Sequence, residues 1–137
     1  MDTTVTARRT LPVWAVSVLA LLVAAVVTEL YGLLLPVVGV PMLAGNILEG
    51  VPSPITVGMF AMGCAFAGFW GTILAVLIAR FARKPARTYI VTTSILVAVS
   101  LLGPLTGVGP LSTRIALCVA HLIAAAIVIP TVARRLA

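Results

Sequence analysis

Acidic side chains are nearly missing from this chain: three Asp or Glu stand against nine Lys or Arg and one histidine in 137 residues. Charged residues make up 9% of it, where a soluble domain carries about 25%, too few to solvate the surface of a globule in water. One histidine and three carboxyls give no ligand spacing of the kind a structural zinc or a haem needs, and no nucleophile stands beside a base. Neither a metal nor a cofactor is expected, and no enzymatic activity. The only cysteines, Cys64 and Cys118, both lie inside apolar runs, which removes the logic of a secreted disulfide framework. The basic excess of +6 lacks the aromatic or helical readers that nucleic-acid binding requires, so no nucleic-acid partner is expected.

What is present is apolar: 62% of residues are hydrophobic and the mean hydropathy is +1.26. Each helical crossing of a bilayer core of about 30 Å takes roughly 20 residues, so a chain of this length holds four or five spans and no separate soluble domain. Four runs qualify, at about 12–35, 55–80, 88–105 and 112–133, within one transmembrane domain, residues 1–137. The expected fold is therefore all-α, an integral membrane four-helix bundle. Arg8-Arg9 ahead of the first run resembles a signal peptide, but the run is too long and has no convincing cleavage site, so it is read as a retained helix. Pro12 suits a first helical turn, and Trp14 and Tyr31 suit the membrane interface.

Four prolines and three glycines interrupt residues 36–54, which no helix could cross unbroken. Met42, Leu43, Ile47 and Leu48 make this loop too apolar to float free, so it is expected at the interface or folded over helix ends, in its sharper form a lid over an outer cavity. Gly103-Pro104 should end or kink the third helix, and Pro130 should bend the fourth.

The basic residues fall in three clusters: Arg8-Arg9, then Arg80, Arg83, Lys84 and Arg87, then Arg134-Arg135. With four spans all three lie on one side, and the opposite loops carry only Glu49 and Arg114. The positive-inside rule then orients the chain N-in and C-in, multi-pass, with both termini cytoplasmic. The cluster from Arg80 to Arg87 is also suited to anionic lipid headgroups, at roughly 1 kcal/mol per charge near the surface.

Small residues recur every four positions: Ala20, Ala24, Thr28 and Gly32 in the first helix, Gly63, Ala67, Gly71, Ala75 and Ala79 in the second, Ala116, Ala120 and Ala124 in the fourth. Such ladders let helix backbones approach closely in lipid, where apolar burial alone gives no drive for association. They are expected to pack the core, although a homo-oligomer or another membrane protein could use one of them. Phe66, Phe69 and Trp70 read as lipid-facing or filling residues rather than an aromatic cofactor box.

Three polar groups draw chemical interest. Glu29 and Ser100 lie roughly 9 Å below the outer face, and His121 about 13 Å below it, at 1.5 Å per residue. An intramembrane carboxylate and histidine at one depth could form a proton-responsive or cation-handling pair. The ordinary alternative is a clasp: His121 bonded to a carbonyl or hydroxyl, and Glu29 paired or wetted near the helix end. The hydroxyls of Thr92, Thr93, Ser94 and Ser100 are expected to bond back to their own helix.

The segments Ser100-Leu101-Leu102-Gly103-Pro104, Ala120-His121-Leu122 and Ile127-Val128-Ile129-Pro130 carry a resemblance to a family of small bacterial four-helix membrane proteins classed as a domain of unknown function. The similarity extends over all four spans. It implies a four-helix fold in a bacterial plasma membrane and implies no activity. The function expected is structural, accessory or partner-binding; the alternative is a transporter or channel subunit handling protons or small cations through Glu29 and His121.

Overall fold

The computed structural model describes residues 11–48 and 50–137; Arg8, Arg9 and Glu49 lie outside the described residues. The long helices are α1 (Val13–Leu34), α2 (Met59–Phe81), α3 (Pro85–Ser100) and α5 (Leu111–Leu136), with the single-turn α4 (Leu102–Thr106) continuing α3. Four segments are long and apolar enough to cross a membrane: Val13–Val38, Met59–Phe81, Pro85–Thr106 and Leu111–Leu136. Their outward residues, among them Leu22, Val26, Phe66, Ile95 and Leu122, are exposed aliphatic and aromatic side chains, the kind of surface that lipid solvates.

The boundaries follow from local chemistry. Pro85 occupies the first turn of α3, where a missing N–H costs nothing, so that helix starts ahead of Thr88. Pro104 has no N–H to offer the Ser100 carbonyl, and the helix breaks between Ser100 and Leu102 as Gly103-Pro104 led us to expect. α5 runs uninterrupted through Pro130. α2 starts later than expected, at Met59, because Ser53–Pro54 is paired as a strand and Gly58 takes a left-handed turn conformation.

α1 is the central helix. It packs against α2 on one side and α5 on the other, α5 packs against α3, and α2 barely touches α5. Ser17, Ala20, Ala24, Thr28 and Gly32 are all buried, so the expected stripe on the first helix is the seam of the bundle. Here a Cβ on Gly32 would come within 2.8 Å of the Phe60 ring of α2.

The second ladder behaves differently. Ala75 is buried, but Gly71 is half-buried and Gly63 and Ala67 are exposed. The close approach falls at Gly68 instead, where a Cβ would lie 2.6 Å from a Leu21 methyl. A four-residue repeat advances about 40° per step beyond a full turn at 3.6 residues per turn. α1, flanked by two helices, tolerates that drift; α2, packed mainly on one, does not. On α5, Ala116 and Ala120 are buried and Ala124 is half-buried.

One end of the bundle is closed by a cluster of Ala20, Ala75, Ile78, Tyr89, Val132, Ala133 and Leu136. The Arg135 Nε donates to the Leu11 carbonyl at 2.6 Å, tying the end of α5 to the start of α1. Arg80, Arg83, Lys84, Arg87 and Arg134 stand exposed at this end.

The opposite end is covered by residues 36–48 and 50–58. A 3₁₀ turn (Pro36–Val38) leads into β1 (Leu43–Ala44), which pairs antiparallel with β2 (Ser53–Pro54). The pair docks on the connector between α4 and α5: Gly45 and Val108 exchange two backbone bonds of 2.8 Å. The buried Thr113 hydroxyl donates to the Pro41 carbonyl. The apolar loop thus folds over helix ends as a cap.

Candidate functional site beneath the cap

The bonding of the three expected polar residues separates them. Glu29 sits on the α2 side of α1. Its Oε1 accepts from the Gly58 N–H at 2.6 Å and its Oε2 from the Ala61 N–H at 3.0 Å. Gly58 is the residue capping α2, in a left-handed conformation at φ 93°, and has no side chain with which to satisfy the helix's first N–H groups. In a capping box two side chains serve the N-cap and N3 donors reciprocally; here one carboxylate from a neighbouring helix serves both. The fixed positive end of α2 further favours the acid there.

His121 bonds within its own helix, Nδ1 to the Leu117 carbonyl at 2.8 Å. A carbonyl only accepts, so Nδ1 carries the proton and Nε2 is the nitrogen available to a ligand. Ser100 is exposed and donates to the Val97 carbonyl at 2.7 Å. No bond joins any of the three to another: Glu29, Ser100 and His121 each bond elsewhere. The reason is azimuth: depth follows from position along a helix, but Glu29 turns toward α2, whereas His121 lines a cavity beside α4. Ser100 is not among the residues lining that cavity.

Several other span hydroxyls are consumed locally, whereas the buried hydroxyls of Ser17 and Thr72 have no hydrogen-bond partner among the described residues. Thr28 donates to Ala24 at 2.8 Å, Thr93 to Tyr89 at 2.6 Å and Thr131 to Ile127 at 2.6 Å. Tyr31 does not serve as a simple interface anchor: its hydroxyl donates to the Ala116 carbonyl at 3.2 Å, across to α5. Cys64 and Cys118 are free thiols, Cys64 lying 3.4 Å from the Thr28 hydroxyl. Among the described residues no group of three or more His, Cys, Asp or Glu could hold a metal ion.

The candidate site is the cavity under the cap, about 310 Å³, lined by Asn46 of the loop, Gly103 and Pro104 of α4, and Arg114, Leu117 and His121 of α5. Arg114 has its Nε on the Pro104 carbonyl at 3.1 Å. Continuation of α4 would have brought the Val108 N–H to that carbonyl, but Val108 donates to Gly45 instead. Arg114 therefore takes a carbonyl released by the docking of the cap. A second cavity of about 320 Å³ between α1 and α2 is lined by apolar residues with Thr72 as its one hydroxyl, and has little to orient a ligand.

Gly45 lets the cap fold on itself, and Gly107 and Gly109 let it approach the connector. A Cβ on Gly45 would lie 2.6 Å from the Val51 carbonyl oxygen, one on Gly107 3.0 Å from the Gly45 oxygen, and one on Gly109 2.6 Å from the Leu43 oxygen. Gly109 also has φ 148°, a conformation that side chains resist. Arg114, Asn46 and these glycines were not expected to act together. Gly107-Val108-Gly109 directly ahead of a helix, opposite a loop containing Gly45, was the available signal.

No curated protein and no solved structure matches this chain. The model of a family of unknown function, DUF6069, matches residues 8–137, nearly the whole chain, and the protein belongs to that family.

Proposed function

We propose that the protein is a multi-pass component of the bacterial plasma membrane, oriented N-in and C-in, with a non-catalytic, accessory role exercised through helix association. The partner proposed is a second copy of the chain, seated on the free flank of α2. The observation that carries this is the flank itself. Gly63 and Gly71 have nothing within 4 Å of where a Cβ would stand, and Ala67 between them is exposed. A small-residue strip permits the close backbone approach on which helix pairs in lipid depend, and a two-fold pair places the same strip on both partners. The gathering of Arg80, Arg83, Lys84, Arg87 and Arg134 at one end supports the orientation and suits that end to anionic lipid headgroups.

The polar groups support a non-conducting role, since Glu29 is held by α2 and the hydroxyls of Thr28 and Thr93 by their own helices. The test is energy transfer between labelled copies in vesicles, diluted with lipid. Gly63→Leu and Ala67→Leu are expected to weaken association about tenfold, while Ile95→Leu on α3 leaves it unchanged. Wild-type chains that stay monomeric at every dilution, or leucine variants that associate as well as wild type, would refute the pairing. Proton flux through wild-type vesicles that His121→Gln abolishes would overturn the accessory role in favour of a transporter or channel subunit.

A further inference from the structure

We propose that the cavity under the cap binds a phosphate group, with Arg114 and His121 as its ligands. Several independent features converge there. The cavity, about 310 Å³, lies at the lower edge of the range of small-molecule sites, enough for one headgroup-sized anion. Among the described residues its polar side chains are Arg114, His121 and Asn46, with no acid beside them. That composition disfavours a cation and suits an anion.

The geometry of each ligand adds to this. The bond from Nε to Pro104 at 3.1 Å fixes the plane of the Arg114 guanidinium and commits one of its five N–H donors. Its two terminal nitrogens keep the fork that matches phosphate oxygens. The bond from His121 Nδ1 to Leu117 fixes the ring in the same way and assigns Nε2 to the ligand. Nε2 can donate to a phosphate oxygen when protonated, or accept from a phosphate hydroxyl when neutral. Arg114 also lies near the amino-terminal end of the 26-residue α5, whose positive end favours an anion. The cap contributes Asn46 to the lining, so the same docking that releases the Pro104 carbonyl to Arg114 also shapes the site.

Two sources supply this chemistry, a phospholipid headgroup entering from the bilayer and free phosphate entering from the aqueous side. Two measurements separate them. In the first, inorganic phosphate is titrated by calorimetry into the full chain held in phosphatidylcholine nanodiscs. In the second, the protein is released from nanodiscs containing phosphatidylglycerol and its retained lipid is weighed by native mass spectrometry. Binding in the first shows the free anion, retention of one phosphatidylglycerol in the second shows the lipid, and either supports the site. Arg114→Gln is expected to weaken the observed binding by tenfold or more, about the worth of one charge-assisted hydrogen bond. Arg114→Lys, which keeps charge but loses the fork, is expected to fall between. His121→Gln, which leaves the Pro104 contact alone, decides the matter if Arg114→Gln fails to fold, and is expected to weaken binding severalfold. The site is overturned if neither measurement detects binding, if folded His121→Gln and Arg114 variants bind as wild type, or if binding is lost instead on replacing Arg80, Arg83, Lys84 and Arg87 by Gln.

Discussion

Replacing Glu29 by Gln tests whether this carboxylate is a helix cap or a proton site. Two N–H donors, from Gly58 and Ala61, converge on its two oxygens at 2.6 and 3.0 Å. Gln keeps one carbonyl oxygen as acceptor and turns an NH₂ toward the other donor, so one bond and the favourable charge at the helix end are lost together. A hydrogen bond to a charged group contributes about 1.5–3 kcal/mol, and the surviving neutral bond offsets little, so Glu29→Gln should destabilise by about 1–3 kcal/mol. Glu29→Ala, which strands both donors, should cost more. Reversible unfolding in bicelles by added denaturing detergent reads the stability. Amide exchange then reads the location: Gly58 and Ala61 should lose protection, while the amides of α2 beyond Ala75, packed in the opposite end, should keep theirs. Wild-type stability with wild-type protection at Gly58 and Ala61 would refute the capping argument. A changed proton flux at unchanged stability would return Glu29 to the role of a proton site.

The cap should depend on Gly109 more than on other glycines of positive φ. Gly109→Ala places a Cβ 2.6 Å from the Leu43 oxygen and should cost about 1–3 kcal/mol in strain, freeing the Gly45 and Val108 amides to exchange. Gly39→Ala, at φ 81° with open space around it, carries only the backbone penalty of about 1–2 kcal/mol and should leave those two amides protected. Tyr31→Phe removes the 3.2 Å bond to Ala116 and should cost only about 0.6 kcal/mol, the average for hydrogen bonds between helices in lipid, measured in the same detergent titration.

The helices were legible because each is an apolar run: Pro12 marks the start of α1 and Gly103-Pro104 the kink, whereas Pro85, read as part of a basic loop, opens α3. The α1 stripe from Ala20 to Gly32 was also legible, since a helix flanked on two sides buries a broad face. Gly63 and Ala67 were misassigned to the core because the same periodicity appears whether a strip faces a neighbour or stands open. The candidate cavity was the least legible part. Arg114 looked like a lone outer charge, and only the docking of Gly45 on Val108 shows why it turns to Pro104.

Composition and run length by themselves determined four apolar helices, their alternating direction and the gathering of basic residues at one end, because those depend on how many apolar residues lie between charges and on connections too short to cross back. The tertiary structure alone decided that Glu29 caps α2, that His121 lines a cavity beside Arg114, and that Ser100 faces outward. Those outcomes depend on the rotation of each helix about its axis and on which neighbour stands beside it. A residue's position along the chain sets its depth and leaves that rotation to the packing of Gly32 on Phe60, Gly68 on Leu21 and Gly109 on Leu43.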